Sequence, residues 1–256
     1  MNKIKSLSYL QIKKERKKMN SPISKIKKVL PKSIEKKLRS IKLKYLEKKS
    51  PEKIFSTIYE KSLWGKSDEQ FFSGTGSLPI NSKVYIEWIN QFLKINNIKS
   101  IVDLGCGDFR VSKQLDLKDI NYTGCDVVPQ LIEHNNETFG NDKISFQQCN
   151  IIENPLPEGE LCLIRQVFQH LSNKSILSTL QKMKKYKYIL ITDFQPHADT
   201  KKINNDIPNF SGTRYVVHET GLWLENEPFN QNIEVAFQYD YIGQDEGYLR
   251  GVLIKN

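Results

Sequence analysis

The stretch 100–108, which reads Ser-Ile-Val-Asp-Leu-Gly-Cys-Gly-Asp, constrains the fold of this chain more than any other. Three of its first five residues are apolar, as in a buried parallel strand. Gly105 and Gly107 follow at once, and glycines there allow a sharp turn and the close approach of a ligand to the main chain. The stretch therefore predicts a strand–turn–helix unit that binds a nucleotide-like ligand at the carboxyl edge of a parallel sheet.

Two further residues indicate the charge of that ligand. Arg110 stands where the dinucleotide fingerprint Gly-x-Gly-x-x-Gly requires its third glycine. Asp103 lies on the strand, two residues before the first glycine. Because its carboxylate would repel a pyrophosphate and attract a cation, the sequence favours a cationic ligand over a dinucleotide.

The remainder of the chain predicts alternating strands and helices around this unit. A helix is expected over 82–97, with Ser82 as its N-cap and Val84 and Ile95 among its inward residues. A short helix should follow Asp108, and others should pass through 131–132 and begin near 172–173. Strands are predicted at 100–104, 122–125, 144–149, 161–165 and 188–192, closed by a hairpin of 233–241 and 248–254.

The glycine turn with Asp103 resembles the first motif of class I S-adenosylmethionine-dependent methyltransferases, whose cofactor is a sulfonium without phosphate. Three further stretches resemble motifs of a bacterial group of these enzymes that is associated with surface polysaccharide. They are Trp64-Gly65, Ser73-Gly74-Thr75-Gly76-Ser77 and the segment 161–172. The resemblance spans residues 56–254. It implies an α/β fold with a Rossmann-like sheet of seven strands, mostly parallel with one antiparallel edge strand. It also implies S-adenosyl-L-methionine as the cofactor and no metal.

Asp126 lies 23 residues after Asp103, at the end of the second predicted strand. A carboxylate there can accept both hydrogen bonds of a ribose diol, or it can cap the next helix. At Asn150 the family commonly has an Asp that accepts from the adenine amino group, which an amide oxygen can also do. The resemblance implies cofactor binding by Trp64, Ser73, Gly74, Asp103, Gly105, Cys106, Gly107, Asp126, Val127, Asn150, Ile151, Arg165 and Gln166.

His170 and Asp193 are the predicted catalytic residues, since each follows a predicted strand at the cofactor edge of the sheet. With a pKa near 6.5, His170 suits a general base for an oxygen acceptor, although it could equally cap a helix or fill the core. His197 and His218 are weaker candidates. Arg165 is predicted to bind the methionyl carboxylate or an anionic acceptor.

The charge is divided unevenly along the chain. Residues 1–50 hold 18 Lys and Arg against 3 Glu, whereas the other 206 residues sum to −5 within a net charge of +10. Residues 1–50 are thus a basic extension, partly helical or disordered, and 51–256 the catalytic domain. The extension's apolar stripe, carried by residues 22–49, leaves three interpretations open: a packed helix, contact with an anionic membrane surface, or, less favoured, nucleic acid.

Together these features predict a cytoplasmic methyltransferase, peripheral at the inner membrane face in one interpretation. No apolar run approaches the roughly 20 residues of a spanning helix, and no signal peptide is expected. Translation could begin at Met1 or at Met19. The four cysteines suggest free buried thiols. The expected reaction is O-methylation of a small molecule or glycan intermediate. The alternatives are an RNA or protein methyltransferase that uses the basic extension, and a non-catalytic cofactor-binding subunit.

Overall fold

Seven β-strands organise the computed structural model, which describes residues 50–210, 212–243 and 245–256. They are β1 (Ser100–Leu104), β2 (Asn121–Asp126), β3 (Ile144–Gln148), β4 (Leu161–Arg165), β5 (Tyr188–Pro196), β6 (Glu234–Asp240) and β7 (Gly247–Lys255). They form one sheet in the order β3-β2-β1-β4-β5-β7-β6. The segment 22–49, with its predicted amphipathic helices, lies outside the described residues.

The strand directions confirm the predicted α/β fold. Strands β1 to β5 are parallel, and β7 pairs antiparallel with both β5 and β6. The reversed strand therefore lies one place inside the edge, and β6 is the outermost strand. Burial explains this arrangement, because nearly every residue of β7 is buried whereas β6 is largely exposed or half-buried.

The described helices are α1 (Pro51–Glu60), α2 (Pro79–Ile95), α3 (Pro129–Phe139), α4 (Asn173–Met183) and α5 (Arg214–His218). The first three begin with proline, whose fixed φ suits the first helical position and whose missing N–H costs nothing there. The short helix expected after Asp108 is a 3-10 turn at Ser112–Gln114. Helix α4 begins at Asn173, as predicted, and Ser172 caps it by accepting a hydrogen bond from the Ser175 N–H.

Two details predicted for α2 are wrong. The helix begins at Pro79, so Ser82 lies inside its first turn and is not the N-cap. Val84 and Ile95 face solvent, with 39% and 82% of their surface exposed. The buried face is formed by Tyr85, Ile89, Phe92 and Leu93, whose spacing places them together on the side of the helix that packs into the core.

Side chains from alternate positions of the strands fill two apolar cores, one on each face of the sheet. Val102 and Leu104 belong to one core, and Ile101, Leu161 and Leu163 belong to the other. With both faces covered, the open part of a parallel sheet is the edge where its strands end, which is where ligands bind in such folds. In the described part of the chain, no helix has the length and apolar character needed to cross a bilayer.

Candidate functional site

A cavity of about 530 Å³ opens at the carboxyl edge of β1, β2 and β4. This volume lies within the roughly 300–1,000 Å³ of typical small-molecule sites. The loop 73–77, helix α1, the 3-10 turn Phe168–His170 and the segment 212–216 complete its walls. All thirteen residues predicted to bind the cofactor line this cavity, as does His170.

The glycine turn lies at the centre of the cavity. Gly105 and Gly107 adopt φ angles of +80° and +57°, which strain any residue with a side chain. A Cβ atom on Gly105 would overlap Val167, and one on Gly107 would overlap Ser73. The N–H of Gly105 donates to the Cys125 carbonyl at 2.7 Å, which fixes the turn on β2. Both glycines are therefore required, and they leave the main chain open to a ligand.

Asp126 is half-buried at the end of β2 and contacts the glycine turn directly. Its Oδ2 accepts from the Gly107 N–H at 3.1 Å, and its Oδ1 accepts from the Val128 N–H at 3.1 Å. Burial raises the pKa of this carboxyl to about 6, against the opposing effect of the two hydrogen bonds. Helix α3 has Val128 as its N-cap, so the capping alternative for Asp126 is not seen. The carboxylate can accept further bonds from a diol.

Asp103 is buried in β1 and also lines the cavity. Its Oδ2 accepts from the Ser112 hydroxyl at 2.6 Å and from the Tyr122 hydroxyl at 2.7 Å. Burial raises the pKa of the carboxyl, while these two donors favour its ionised form. The carboxyl group thus lies behind the glycine turn, and its attraction of a cationic ligand stays a prediction.

Ser73 fastens the loop 73–77 to the glycine turn. Its N–H donates to Oδ2 of Asp108 at 3.2 Å, and the Asp108 N–H donates back to the Ser73 Oγ at 2.9 Å. The Ser73 hydroxyl also lies 2.9 Å from the Tyr59 hydroxyl on α1. Three segments that are distant in sequence are therefore joined at one point beside the cavity.

The loop presents main-chain donors to the cavity. Gly74 has a φ of +87°, and the N–H groups of Gly74, Thr75 and Gly76 have no hydrogen-bond partner among the described residues. Consecutive N–H groups in a tight loop form a concave anion site. This arrangement suits the carboxylate of an amino-acid ligand.

Arg165 holds that loop in place. Its Nη2 donates to the carbonyls of Gly76 at 2.7 Å and Asn81 at 2.8 Å, and its Nη1 donates to the Gln166 side chain at 3.1 Å. The guanidinium also lies over the Tyr85 ring. The side chain is thus engaged with protein groups, and its predicted contact with a carboxylate or an anionic acceptor stays a prediction.

Three more of the predicted cofactor residues lie where β2 and β3 end. Val127 follows Asp126, and Asn150 and Ile151 follow β3. The Asn150 Oδ1 accepts from the Ile152 N–H at 3.1 Å, and its Nδ2 donates to Glu153 at 3.0 Å. An amide oxygen has a second lone pair, so a contact with an adenine amino group fits this geometry.

His170 is buried in the 3-10 turn after β4. Its Nδ1 lies 2.8 Å from the Gly212 carbonyl, and because a carbonyl can only accept, the proton is on Nδ1. The Nε2 atom therefore carries the lone pair, and it accepts a hydrogen bond from the side-chain amide of Gln169 at 3.4 Å. Burial lowers the pKa of the imidazole to about 4, so the ring is neutral at physiological pH. The Trp64 ring lies 5.6 Å from the His170 ring, with an angle of 32° between their planes.

Asp193 was predicted to face the cleft, and this is wrong. Strand β5 continues to Pro196, four residues beyond its predicted end, so Asp193 pairs with Arg250 of β7 inside the sheet. The carboxyl is buried beneath the 3-10 turn and accepts from the Gln169 N–H at 3.3 Å. It faces a small void with Leu222 and Arg250, and burial raises its pKa to about 8.

The two weaker histidine candidates also lie outside the cavity. The Nε2 of His197 is 3.8 Å from the Asp240 carboxylate on the exposed side of β6. The Nε2 of His218 is 3.0 Å from the Asp206 carbonyl. Neither ring can reach a ligand at the glycine turn.

One wall of the cavity was missed by the sequence analysis. Helix α1 lines it with Pro51, Phe55 and Tyr59, while Ile54 and Ile58 are buried beneath. Within each of these two groups, successive residues are four positions apart, which is typical of one face of a helix. This spacing could have predicted a helix with one face on the cavity and one in the core. The lining also includes residues 212, 213 and 216, which lie in a stretch without periodicity and gave no such signal.

Comparisons with known proteins agree with this fold. Residues 101–186, from β1 to the end of α4, match the sequence model of a methyltransferase domain. The N-methyltransferase NodS from Bradyrhizobium japonicum WM9, solved with S-adenosyl-L-homocysteine, is 14% identical with a TM-score of 0.51, covering 70% of this chain and 89% of that chain. No curated protein matches the chain.

Two other solved structures are similar at lower scores. Magnesium protoporphyrin IX methyltransferase from Synechocystis PCC 6803 is 12% identical with a TM-score of 0.49, covering 85% of this chain and all of that chain. The methyltransferase domain of bacterial CtHen1 is 18% identical with a TM-score of 0.47, covering 66% of this chain and 97% of that chain.

The part of the chain that matches the methyltransferase domain contains the chemistry of the site. It includes the glycine turn, Asp103, Asp126 and the segment around His170. The turn that only glycine can form, the carboxylate at the end of β2 and the unpartnered N–H groups fit a cofactor with a ribose and an amino-acid end. The chain therefore contains a methyltransferase domain over residues 101–186, and its site fits S-adenosylmethionine as the cofactor.

Proposed function

We propose that this enzyme methylates a hydroxyl oxygen of a neutral small molecule or glycan intermediate, such as one used in surface polysaccharide. The single observation that supports this best is the state of His170. Its Nδ1–H is bound by the Gly212 carbonyl, its Nε2 carries a lone pair, and it lines the same cavity as the glycine turn. A hydroxyl acceptor must lose a proton, and this nitrogen can take it.

In this proposal the two ends of the cavity have different tasks. S-adenosylmethionine supplies an electrophilic methyl group when bound. Asp126 accepts from its ribose, Asn150 contacts its adenine, and the loop N–H groups bind its carboxylate. His170 holds the acceptor hydroxyl and takes its proton onto Nε2, and the Gly212 carbonyl stabilises the resulting imidazolium. Positioning of the two reactants supplies much of the remaining acceleration.

The test is methyl transfer from radiolabelled S-adenosylmethionine into pools of glycans, sugar nucleotides and phenols, with the product analysed for its methylated atom. His170→Ala should lower kcat by about 10²–10⁴ without changing cofactor affinity. His197→Ala, which alters a half-exposed histidine outside the cavity, is the matched control and should keep wild-type turnover. A stable His170→Ala enzyme with near wild-type kcat would reject the base assignment.

The basic residues 1–50 favour a second candidate function, which is methylation of RNA or protein bound by this extension. The cavity itself does not support an anionic substrate, because its lining cation, Arg165, is bound to protein carbonyls. In the main proposal, residues 22–49 instead bring a cytoplasmic enzyme to an anionic membrane surface. RNA affinity that falls steeply with salt and disappears with residues 1–45 would favour the RNA enzyme. Failure to form S-adenosylhomocysteine with any acceptor would favour a non-catalytic subunit.

A further inference from the structure

Part of the cavity lining, which shares only Trp64 with the predicted cofactor residues, has no charge. We call it the apolar wall, and it comprises Pro51, Phe55, Leu63, Trp64, Leu171 and Val216. It adjoins His170, whose ring centroid lies 5.6 Å from that of Trp64 and 6.0 Å from that of Phe55. Any acceptor that reaches His170 must therefore contact aromatic and aliphatic surface.

The charged residues of the cavity lie elsewhere in its lining, and most are acidic. Asp103, Asp108, Asp126 and Asp245 line it, against Arg165 as the cation among the described residues. The Nη atoms of Arg165 already donate to three protein oxygens. A phosphate or carboxylate on the acceptor would therefore meet like charge and lose hydration without gaining a partner.

The apolar wall extends to the rim of the cavity. Leu63 is 59% exposed and Val216 is 49% exposed, and both line the cavity. Exposed apolar residues that continue a concave apolar surface indicate a binding site. Flat aromatic faces such as those of Phe55 and Trp64 favour contact with another ring, which gains both area burial and ring–ring attraction.

We propose that the apolar wall is the acceptor subsite and that it selects a neutral ring with an apolar face. Two sources share this chemistry: the C–H face of a sugar and the face of a phenol. Phe55 and Trp64 are then the specificity-determining residues, and a hydroxyl on the ring meets the Nε2 of His170. This inference rests on the proposed function and adds to it the class of acceptor.

The test measures binding, with the full chain saturated in S-adenosylhomocysteine. The probes are two matched pairs that differ by a carboxylate: methyl glucopyranoside with methyl glucuronide, and 4-methylphenol with 4-hydroxybenzoate. We expect a neutral probe to bind, its charged partner to bind at least about 10-fold more weakly, and the pair that binds to identify the source. Phe55→Ala should weaken the neutral probe by about 10-fold, with Phe55→Leu between the two.

Ile80→Ala is the control, because Ile80 is 61% exposed on α2 and lies outside the cavity. Three results would overturn the inference: equal binding of a charged probe and its neutral partner, unchanged binding in both Phe55→Ala and Trp64→Ala, or no binding of any probe at millimolar concentration. The proposed function fails separately. Methyl transfer to nitrogen would refute O-methylation while leaving the ring-binding result intact.

Discussion

The two halves of the cavity are built in different ways. The cofactor half consists of short segments at the carboxyl ends of β1, β2 and β3, with the loop 73–77 fastened to them. The proposed acceptor half is assembled from α1, the residues Leu63 and Trp64 that follow it, the turn that holds His170 and the segment 212–216. Asp103, Asp108 and Asp126 lie in the cofactor half, whereas Phe55 and Trp64 give the acceptor half its aromatic surface.

This difference separates what the fold requires from what the substrate requires. The ends of parallel strands meet at one edge by topology, so the cofactor half follows from the sheet itself. The acceptor half depends on segments added around that edge, which can change without disturbing the sheet. Substitutions in the two halves should therefore produce different kinetic and binding effects.

The largest effect is expected from Gly105→Ala in the cofactor half. The substitution places a side chain at a φ of +80° and against Val167. Backbone strain of about 1–3 kcal/mol and overpacking of about 1–3 kcal/mol should lower the free energy of unfolding and weaken cofactor binding. Thermal and denaturant unfolding measure the first quantity, and calorimetry measures the second.

Val167→Ala in the Gly105→Ala background is the matching control. It removes the overlap but leaves the φ strain, so the double variant should recover part of the lost stability. An unchanged free energy of unfolding in Gly105→Ala alone would show that the turn is not built as described.

Asp126→Ala should have the next largest effect. Losing hydrogen bonds to an ionised group should weaken S-adenosylmethionine binding by about 1.5–3 kcal/mol, or roughly 10- to 100-fold. Asp126→Asn keeps one oxygen acceptor, so its affinity for S-adenosylmethionine should lie between those of the wild type and Asp126→Ala. NAD should not bind the wild-type chain. Calorimetry that shows unchanged cofactor affinity in Asp126→Ala would remove this carboxylate from the site.

The pH dependence should separate the two halves without mutation. As pH falls through about 6, Asp126 takes up a proton, so the KM for S-adenosylmethionine should rise. At saturating cofactor, kcat should hold until His170 is protonated near pH 4, well below the 6.5 of a free histidine. Steady-state kinetics between pH 4 and 8 measure both. A kcat that falls through pH 6.5 would contradict the buried, neutral state of His170.

Protonation should also affect stability, with the opposite sign for the two residues. The raised pKa of Asp126 means that the folded state holds its proton more tightly, so this group lowers the free energy of unfolding as pH rises from about 3.8 to 6. The lowered pKa of His170 means that the unfolded state binds the proton first, so stability falls as pH drops from about 6.5 to 4. Urea unfolding measures the free energy of unfolding at each pH. Its change between about pH 3.8 and 6 should be absent in Asp126→Asn, and its change between about pH 4 and 6.5 should be absent in His170→Ala.

The smallest effect concerns the comparison between the catalytic domain and its basic extension. A chain that begins at Leu46, the first residue of the compact unit Leu46–Asn256, should keep full cofactor affinity. It should lose the salt-sensitive affinity for anionic vesicles that residues 1–45 provide at about 1 kcal/mol per basic residue near the surface. Cosedimentation at low and high salt measures this. Equal vesicle binding by both chains would refute the proposed membrane contact.

The ease of prediction differs between the two halves for physical reasons. Strands β1 and β4 match their predicted bounds, because each is a short apolar run with polar neighbours. The cofactor residues follow from strand ends, which are local in sequence. Asp193 was misjudged because β5 is extended by pairing with β7, a contact between residues about 60 positions apart in sequence that no local pattern reveals.

The acceptor half was harder to predict for a similar reason. Helix α1 shows its two faces only once its bounds are known, and the segment 212–216 has no periodicity. The carbonyl of Gly212 determines the tautomer of His170. Because every residue has a main-chain carbonyl, the sequence does not indicate this contact. Sequence reasoning therefore identified the cofactor but not the surface that we propose for the acceptor.

Calorimetric titration of S-adenosylmethionine into the wild-type chain, Asp126→Ala and His170→Ala tests the central claim most directly. The account predicts binding of one molecule in the micromolar range to the wild type, a loss of roughly 10- to 100-fold in Asp126→Ala and an unchanged affinity in His170→Ala. No binding to the wild type, or an equal loss in both variants, would contradict the division of the cavity into a cofactor half and an acceptor half.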